Sequence, residues 1–284
     1  MEQLITYFES IPTAHRSLLL VGGITFFWLL EGIVPLFNVS YNKWKHSLPN
    51  FFFTFTTIVV NFPLAFLLLK TSDWVVVNDF GILNWLPQIP LWAYVFVGVA
   101  LLDLIGAYIA HIVEHRVKLL WMVHLVHHTD HNVDTTTANR HHPLESLIRY
   151  IFTLLGVFIV GAPIGIVMLY QSLSVVLSQF NHANIKLPKS LDKVISWVII
   201  SPDMHKVHHH YRLPYTDSNY GNIFSWWDRL FGTYMYLDRE KIVYGVDTFP
   251  DEVANGRIGS LLQYPFVKYR KPPTDIANEP PLVK

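Results

Sequence analysis

The chain has 284 residues, 51% of them hydrophobic, 15% aromatic and only 15% charged, with a mean hydropathy of +0.31, a balance that excludes an ordinary soluble domain and points to the lipid bilayer. Basic and acidic residues number 21 each, so there is no overall field to attract nucleic acid. Cysteine is absent, which removes disulfides, iron–sulfur clusters, thiolate metal sites and cysteine nucleophiles, and leaves any metal to histidine and carboxylate.

A spanning helix needs about 20 mostly apolar residues, and residues 17–37, 50–69 and 89–110 each meet that length. The first reads as a retained helix rather than a secretory signal. Glu2 and Glu9 precede it without a basic cluster, and no small-residue cleavage site follows. Glu31 near its end reads as a carboxylate at the membrane interface. Residues 150–181 form a fourth apolar stretch of 32 residues without a formal charge, too long for one pass and too short for two full ones and a turn. Gly161, Ala162, Pro163 and Gly165 supply a break, so the stretch is expected to be a helical hairpin that enters the membrane and returns. Residues 194–200 form a short apolar run suited to an interfacial or buried helix, and residues 271–284, rich in proline and charge, read as loosely ordered.

The expected fold is therefore an all-α membrane protein of about three transmembrane helices plus a helical hairpin, with a histidine-rich cap. Residues 1–88 would supply N-terminal transmembrane helices, 89–240 the histidine-bearing core, and 241–284 a polar tail. With this topology 19 of the 21 Lys/Arg fall on the histidine side, all except Arg16 and Lys70, which places that side in the cytoplasm.

Of the 15 histidines, 13 lie between His111 and His210. His111 and His115 are four residues apart on one helical face at the end of the third span. His124, His127 and His128 share a face at spacings of three and four, and His205, His208 and His209 repeat that pattern. His182 follows the hairpin. Neutral imidazoles in this number suit borderline transition metals such as iron, copper, zinc or nickel, and exceed the needs of one tetrahedral ion, so two metals are expected. Two classes of function compete: a redox metalloenzyme, and a membrane protein for transition-metal transport or storage. A transporter would spread ligands along a transmembrane path. A zinc hydrolase and a bis-histidine haem protein are further readings, the last leaving most of the histidines unused.

The ordered segments HIVEH, HLVHH and HKVHH, with NRHHPLE between them and NYGNI running into WDRLFGT after them, resemble the fatty acid hydroxylase superfamily, also called the sterol desaturase family, over residues 92–236. The resemblance implies an integral membrane di-iron oxygenase that hydroxylates or desaturates a lipid (sterol, fatty acyl, ether lipid or carotenoid) with dioxygen as co-substrate. Its ligands would be His111, His115, His124, His127, His128, His182, His205, His208 and His209. Asp103 matches an aspartate usual in the family and is expected to hydrogen-bond an imidazole. His142 has a place either on the metal or beside a ligand. His131, His141 and His210 fall to polar surface or supporting roles, and Asp228 and Arg229 to a structural pair. Residues 219–234 are expected to pack the cap against the site. Since no flavin, nicotinamide or haem segment is visible, two electrons must come from a separate donor, a ferredoxin or b-type cytochrome with its reductase.

Overall fold

In the computed structural model, which describes residues 1–38 and 41–271, the chain is helical, with isolated bridges but no strand among the described residues. The expectation for residues 271–284 falls, but for Lys271, outside the described residues. Five helices are long and apolar enough to cross a membrane, making this a multi-pass membrane protein. After a short α1 (Glu2–Glu9) come α2 (Thr13–Ile33), α3 (Lys43–Val77) and α4 (Leu91–Arg116). The helix α5 (Lys118–His128) lies outside the spans and leads to α6 (Pro143–Val160) and α7 (Ile164–His182). The short helices α8 (Lys189–Ile195), α9 (Pro202–His208) and α10 (Trp226–Leu230) follow.

α6 and α7 are the expected hairpin, turning at Gly161 in the left-handed region (φ 70°). Its arms are longer than the uncharged stretch because α6 starts earlier. Pro143 fits the first helical turn, and His142 caps it by accepting from Leu144 N at 3.1 Å. The turn packs on a second positive-φ glycine, Gly81 (φ 101°), in the connection between α3 and α4. α3, with 35 residues, is about 52 Å long by helical rise and overshoots a bilayer core of about 30 Å. Its N-terminal end rises beside the histidine boxes, where His46 sits between Asp130 (2.8 Å) and Asp134 (3.2 Å).

Glu31 is buried rather than interfacial. It pairs with Lys43 at 2.8 Å and accepts from Thr135 N and Asn184 N, tying the end of α2 to the segments on either side of the hairpin. A membrane core gathers Val99, Leu102, Val157 and Ile166 from α4, α6 and α7, and a separate core in the cap gathers Phe53, Met122, Leu125, Phe249 and Leu261. Phe53 is thus a packing residue, whereas Trp92 and Phe96 face outward. Trp197 and Val198 in the 194–200 run are also exposed, as suits an interfacial element.

Residues 220–227 leave the cap and descend along α4. At 1.5 Å per residue Asp103 lies about 12 Å below His111 on that helix, and its carboxylate accepts from Ile223 N (3.2 Å), Phe224 N (3.1 Å) and Trp227 Nε1 (3.1 Å). Irregular backbone at this depth has no water to bond to and needs protein acceptors. Asp228 supplies the next ones, for Tyr220 N (2.7 Å), Gly221 N (3.0 Å) and Thr233 Oγ1 (2.7 Å).

Candidate metal centre

The nine histidines named from the boxes and His182 converge in two buried groups. His111, His115, His124, His128 and His208 form one, and His127, His182, His205 and His209 the other. The spacing within each helix explains the division: on α5, His124 and His128 face the first group while His127 faces the second, and on α9 and its end His208 and His205 part in the same way. α4 contains a stretch of wider π-helix, Leu104–Ile109, just before His111.

The nitrogens on the outer side of five of these rings are fixed. Carbonyl and carboxylate oxygens can only accept here, so Nδ1 donates from His111 to Tyr220 O (2.8 Å), from His208 to Ser218 O (2.7 Å) and from His182 to Ser178 O (2.8 Å). His115 donates likewise to Asp217 (3.1 Å) and His124 to Glu145 (2.7 Å). With the proton on Nδ1, each Nε2 presents a bare lone pair inward.

Across both groups the Nε2 atoms crowd together: His111 to His124 at 3.1 Å, His124 to His128 at 3.2 Å, His127 to His182 at 3.1 Å, His182 to His205 at 3.0 Å and His205 to His209 at 3.2 Å. The Nε2 atoms of His115 and His208 are buried without any partner. The lone pairs of His111 and His124, both rings carrying the proton on Nδ1, face each other and repel unless a cation lies between them, and the other spacings match nitrogens bound at about 2.1 Å to one metal, which sit roughly 3.0–3.4 Å apart. The donor set therefore fits two transition-metal ions. Burial drives the imidazoles of His124, His127, His128, His205, His208 and His209 well below their ordinary range, which keeps them in the neutral form that ligates.

A cavity of about 30 Å³ is lined by His111 of the first group and His127, His182 and His205 of the second, and also by Ala107, Arg149, Ser178, Gly221 and Asn222 among others. That volume suits one or two small molecules the size of water.

Three expectations need correction. Asp103 bonds no imidazole; it holds the descending segment whose Tyr220 carbonyl receives His111, so it acts on the site at one remove. His142 belongs to neither group, because its Nδ1 caps α6 and its Nε2 faces Leu262 O at 3.4 Å. Asp228 and Arg229 are structural but form no ion pair with each other among the described residues: Arg229 lies over the rings of Trp197 and Tyr234.

His131 and His210 do take supporting positions, bonding Asn255 and Val243 N. His141 comes closer to the centre, stacked on His127 (4.9 Å, 19°) and bonded to Glu145 at 2.6 Å. Glu145 is a residue that sequence reasoning passed over, although its place four residues after His141 was visible. Arg149 binds it at 3.0 Å and Glu114 at 2.8 Å, forming a buried ionic brace behind His124. Asp217 and the carbonyls of Ser218 and Tyr220 carry no local signal at all.

A fatty acid hydroxylase family model matches residues 95–233. Among curated proteins, alkylglycerol monooxygenase of Xenopus tropicalis is 31% identical over 156 residues, covering 55% of this chain and 32% of that protein. Ornithine lipid hydroxylase OlsE of Rhizobium tropici is 26% identical, over 53% of this chain and 44% of its own length. Methylsterol monooxygenase 2-2 of Arabidopsis thaliana is 25% identical over 82% of this chain and 90% of its own. The chain thus spans about a third to under a half of the length of the first two relatives. No solved structure matches. The matched segment begins on α4, runs through all three histidine boxes and ends where the descending segment returns to Thr233, so residues 95–233 form a fatty acid hydroxylase domain.

Proposed function

We propose that this chain is a membrane-bound di-iron oxygenase that hydroxylates an amphipathic lipid, using dioxygen and two electrons from outside the chain. The observation that carries the reading is the pair of buried imidazole groups, five and four, with a small cavity lined by His111 of the first and His127, His182 and His205 of the second. His111, His115, His124, His128 and His208 would hold one iron, and His127, His182, His205 and His209 the other. Bound iron supplies the redox chemistry needed to activate dioxygen and cleave an unactivated C–H bond. Glu145, Asp217 and the carbonyls of Ser178, Ser218 and Tyr220 fix the tautomers of five rings, so the Nε2 atoms of His111, His115, His124, His182 and His208 are ready to ligate. Ala107 and Gly221 leave room beside the centre, and the enclosing helices exclude water. His111 is the twenty-first residue of α4, at the boundary end of a span. A lipid entering from the bilayer would therefore bring a carbon near its polar end to the site, with Ser178, Asn222 and Arg149 available to the polar atoms. The relatives, monooxygenases and hydroxylases of alkylglycerol, ornithine lipid and methylsterol, support hydroxylation over desaturation.

The basic residues gathered on the histidine side support a cytoplasmic site, served by a ferredoxin or a b-type cytochrome with its reductase. Metal transport has no support: every metal-capable group among the described residues lies at one end of the bundle. Metal analysis with Mössbauer spectroscopy on detergent-purified protein tests the reading, the expected result being about two irons per chain in one coupled cluster. An oxygen-18 label should enter an alcohol product from labelled dioxygen. A protein holding only zinc, or moving metal across sealed vesicles without oxidising lipid, would overturn it.

A further inference from the structure

The nine imidazoles are buried, so electrons from a separate protein need a point of approach. Trp121 is partly exposed, and its ring lies 4.8 Å from that of His115, 5.3 Å from His128 and 6.2 Å from His124, three members of the five-imidazole group. Tyr220, which also packs on that group through His111, His115 and His208, is fully buried. The two segments that frame Trp121 carry basic residues only. Residues 116–128 contain Arg116 and Lys118 and no acid; residues 257–271, which pack on α5 through Tyr264–Phe266, contain Arg257, Lys268, Arg270 and Lys271 and again no acid. These six basic residues are exposed in a chain whose formal charge is zero. Lys118 lies over the ring of Tyr269 (4.3 Å), and Tyr269 packs in the same cluster as Trp121, which joins the two segments into one face. Val117, Leu119, Phe266 and Val267 are exposed apolar side chains within it.

We propose that this face, an apolar centre over Trp121 with a rim of Arg116, Lys118, Lys268 and Arg270, docks an acidic one-electron carrier protein. The inference rests on the oxygenase reading. In each turnover two reduced carriers are oxidised in succession, and their two electrons, with two protons and one dioxygen, convert a C–H bond to C–OH and release one water. Apolar contact with a charged rim is the pattern of a transient protein interface, where rim charges set the encounter rate. The donor is favoured over anionic lipid headgroups as occupant because the face is centred on the ring that touches the ligands.

The test uses the full iron-loaded chain in nanodiscs of zwitterionic lipid, driven either by reduced plant-type ferredoxin, an acidic carrier, or by a photoreduced flavin as small reductant. Lys118→Glu with Arg270→Glu should raise KM for ferredoxin about tenfold, with a smaller effect on kcat, and flatten its dependence on salt. Any loss with the flavin should be far smaller. The pair Lys189→Glu and Lys193→Glu, on α8 outside this face, should leave both assays unchanged. An unaltered KM in the first pair, an equal rise in the second, or an effect confined to anionic-lipid discs would each overturn the docking face. Turnover with flavin but none with ferredoxin would also overturn it while leaving the oxygenase reading intact; no turnover with either, at full iron loading, would sink both.

Discussion

Asp103 is a carboxylate placed where a membrane helix ordinarily tolerates none, and its environment explains it. One group accepts from three donors of a segment that has left water behind, and each of those donors would otherwise stand unpaired. Asp103→Asn replaces an acceptor oxygen by a donor facing other donors. It should lower stability by about 1–3 kcal/mol, read as a fall in the melting temperature in detergent, and weaken iron retention through Tyr220 and His111. An unshifted melting curve would remove Asp103 from this role. Ligands and supporting histidines part company in a second comparison. His128→Ala and His209→Ala, one from each group, should each drop iron from two to about one per chain, because a lost ligand frees its ion. His142→Ala should keep both irons and cost about 0.5–2 kcal/mol, the value of a helix cap. The nine convergent imidazoles were readable because their spacings are local and periodic. The partners of Asp103 were not, since a backbone amide 120 residues away leaves no trace in the neighbouring sequence.

At the level of elements, the hairpin was legible because proline and glycine interrupt an apolar run, and the length of its arms was not, because a capping histidine and an early proline extend α6 past the uncharged stretch. The descent of residues 220–227 was invisible for a different reason. The segment has no helical or strand periodicity, and its depth is set by two aspartates on separate elements. The hairpin turn offers a sharp check. A Cβ on Gly161 would lie 2.3 Å from Phe80 O and 2.6 Å from Asn84 Nδ2, in a backbone conformation that already disfavours a side chain. Gly161→Ala should therefore destabilise the protein by about 1–3 kcal/mol and separate the turn from the α3–α4 connection. At Gly259 an added methyl would meet nothing within 4 Å, and Gly259→Ala should change stability by no more than about 0.5 kcal/mol. Equal melting temperatures for the two variants would mean that the turn is not packed as described.

For the whole molecule, hydropathy summed over about 20 residues made the spans readable one by one, and their packing now fixes which ends lie together. The Gly81 connection meets the hairpin turn at Gly161, and α1 packs against α7 near Gly165, so the start of the chain, the α3–α4 connection and the turn share one end of the bundle. The histidine groups occupy the other. Five crossings in this order put residues before α2 and after α7 on opposite sides. The positive-inside excess supports the proposed placement of the histidine end in the cytoplasm. The chain has no cysteine, so a single introduced thiol reports unambiguously. Ser10→Cys and Asn78→Cys, both exposed, should react with a membrane-impermeant maleimide added outside intact cells, and Lys189→Cys, also exposed, only after the membrane is opened. The reverse pattern would keep the bundle and invert its orientation, moving the electron donor to the other compartment. Labelling of Asn78 and Lys189 from the same side would break the five-span order itself, because an even number of crossings between them would split the histidine boxes from His182 and no shared centre would form.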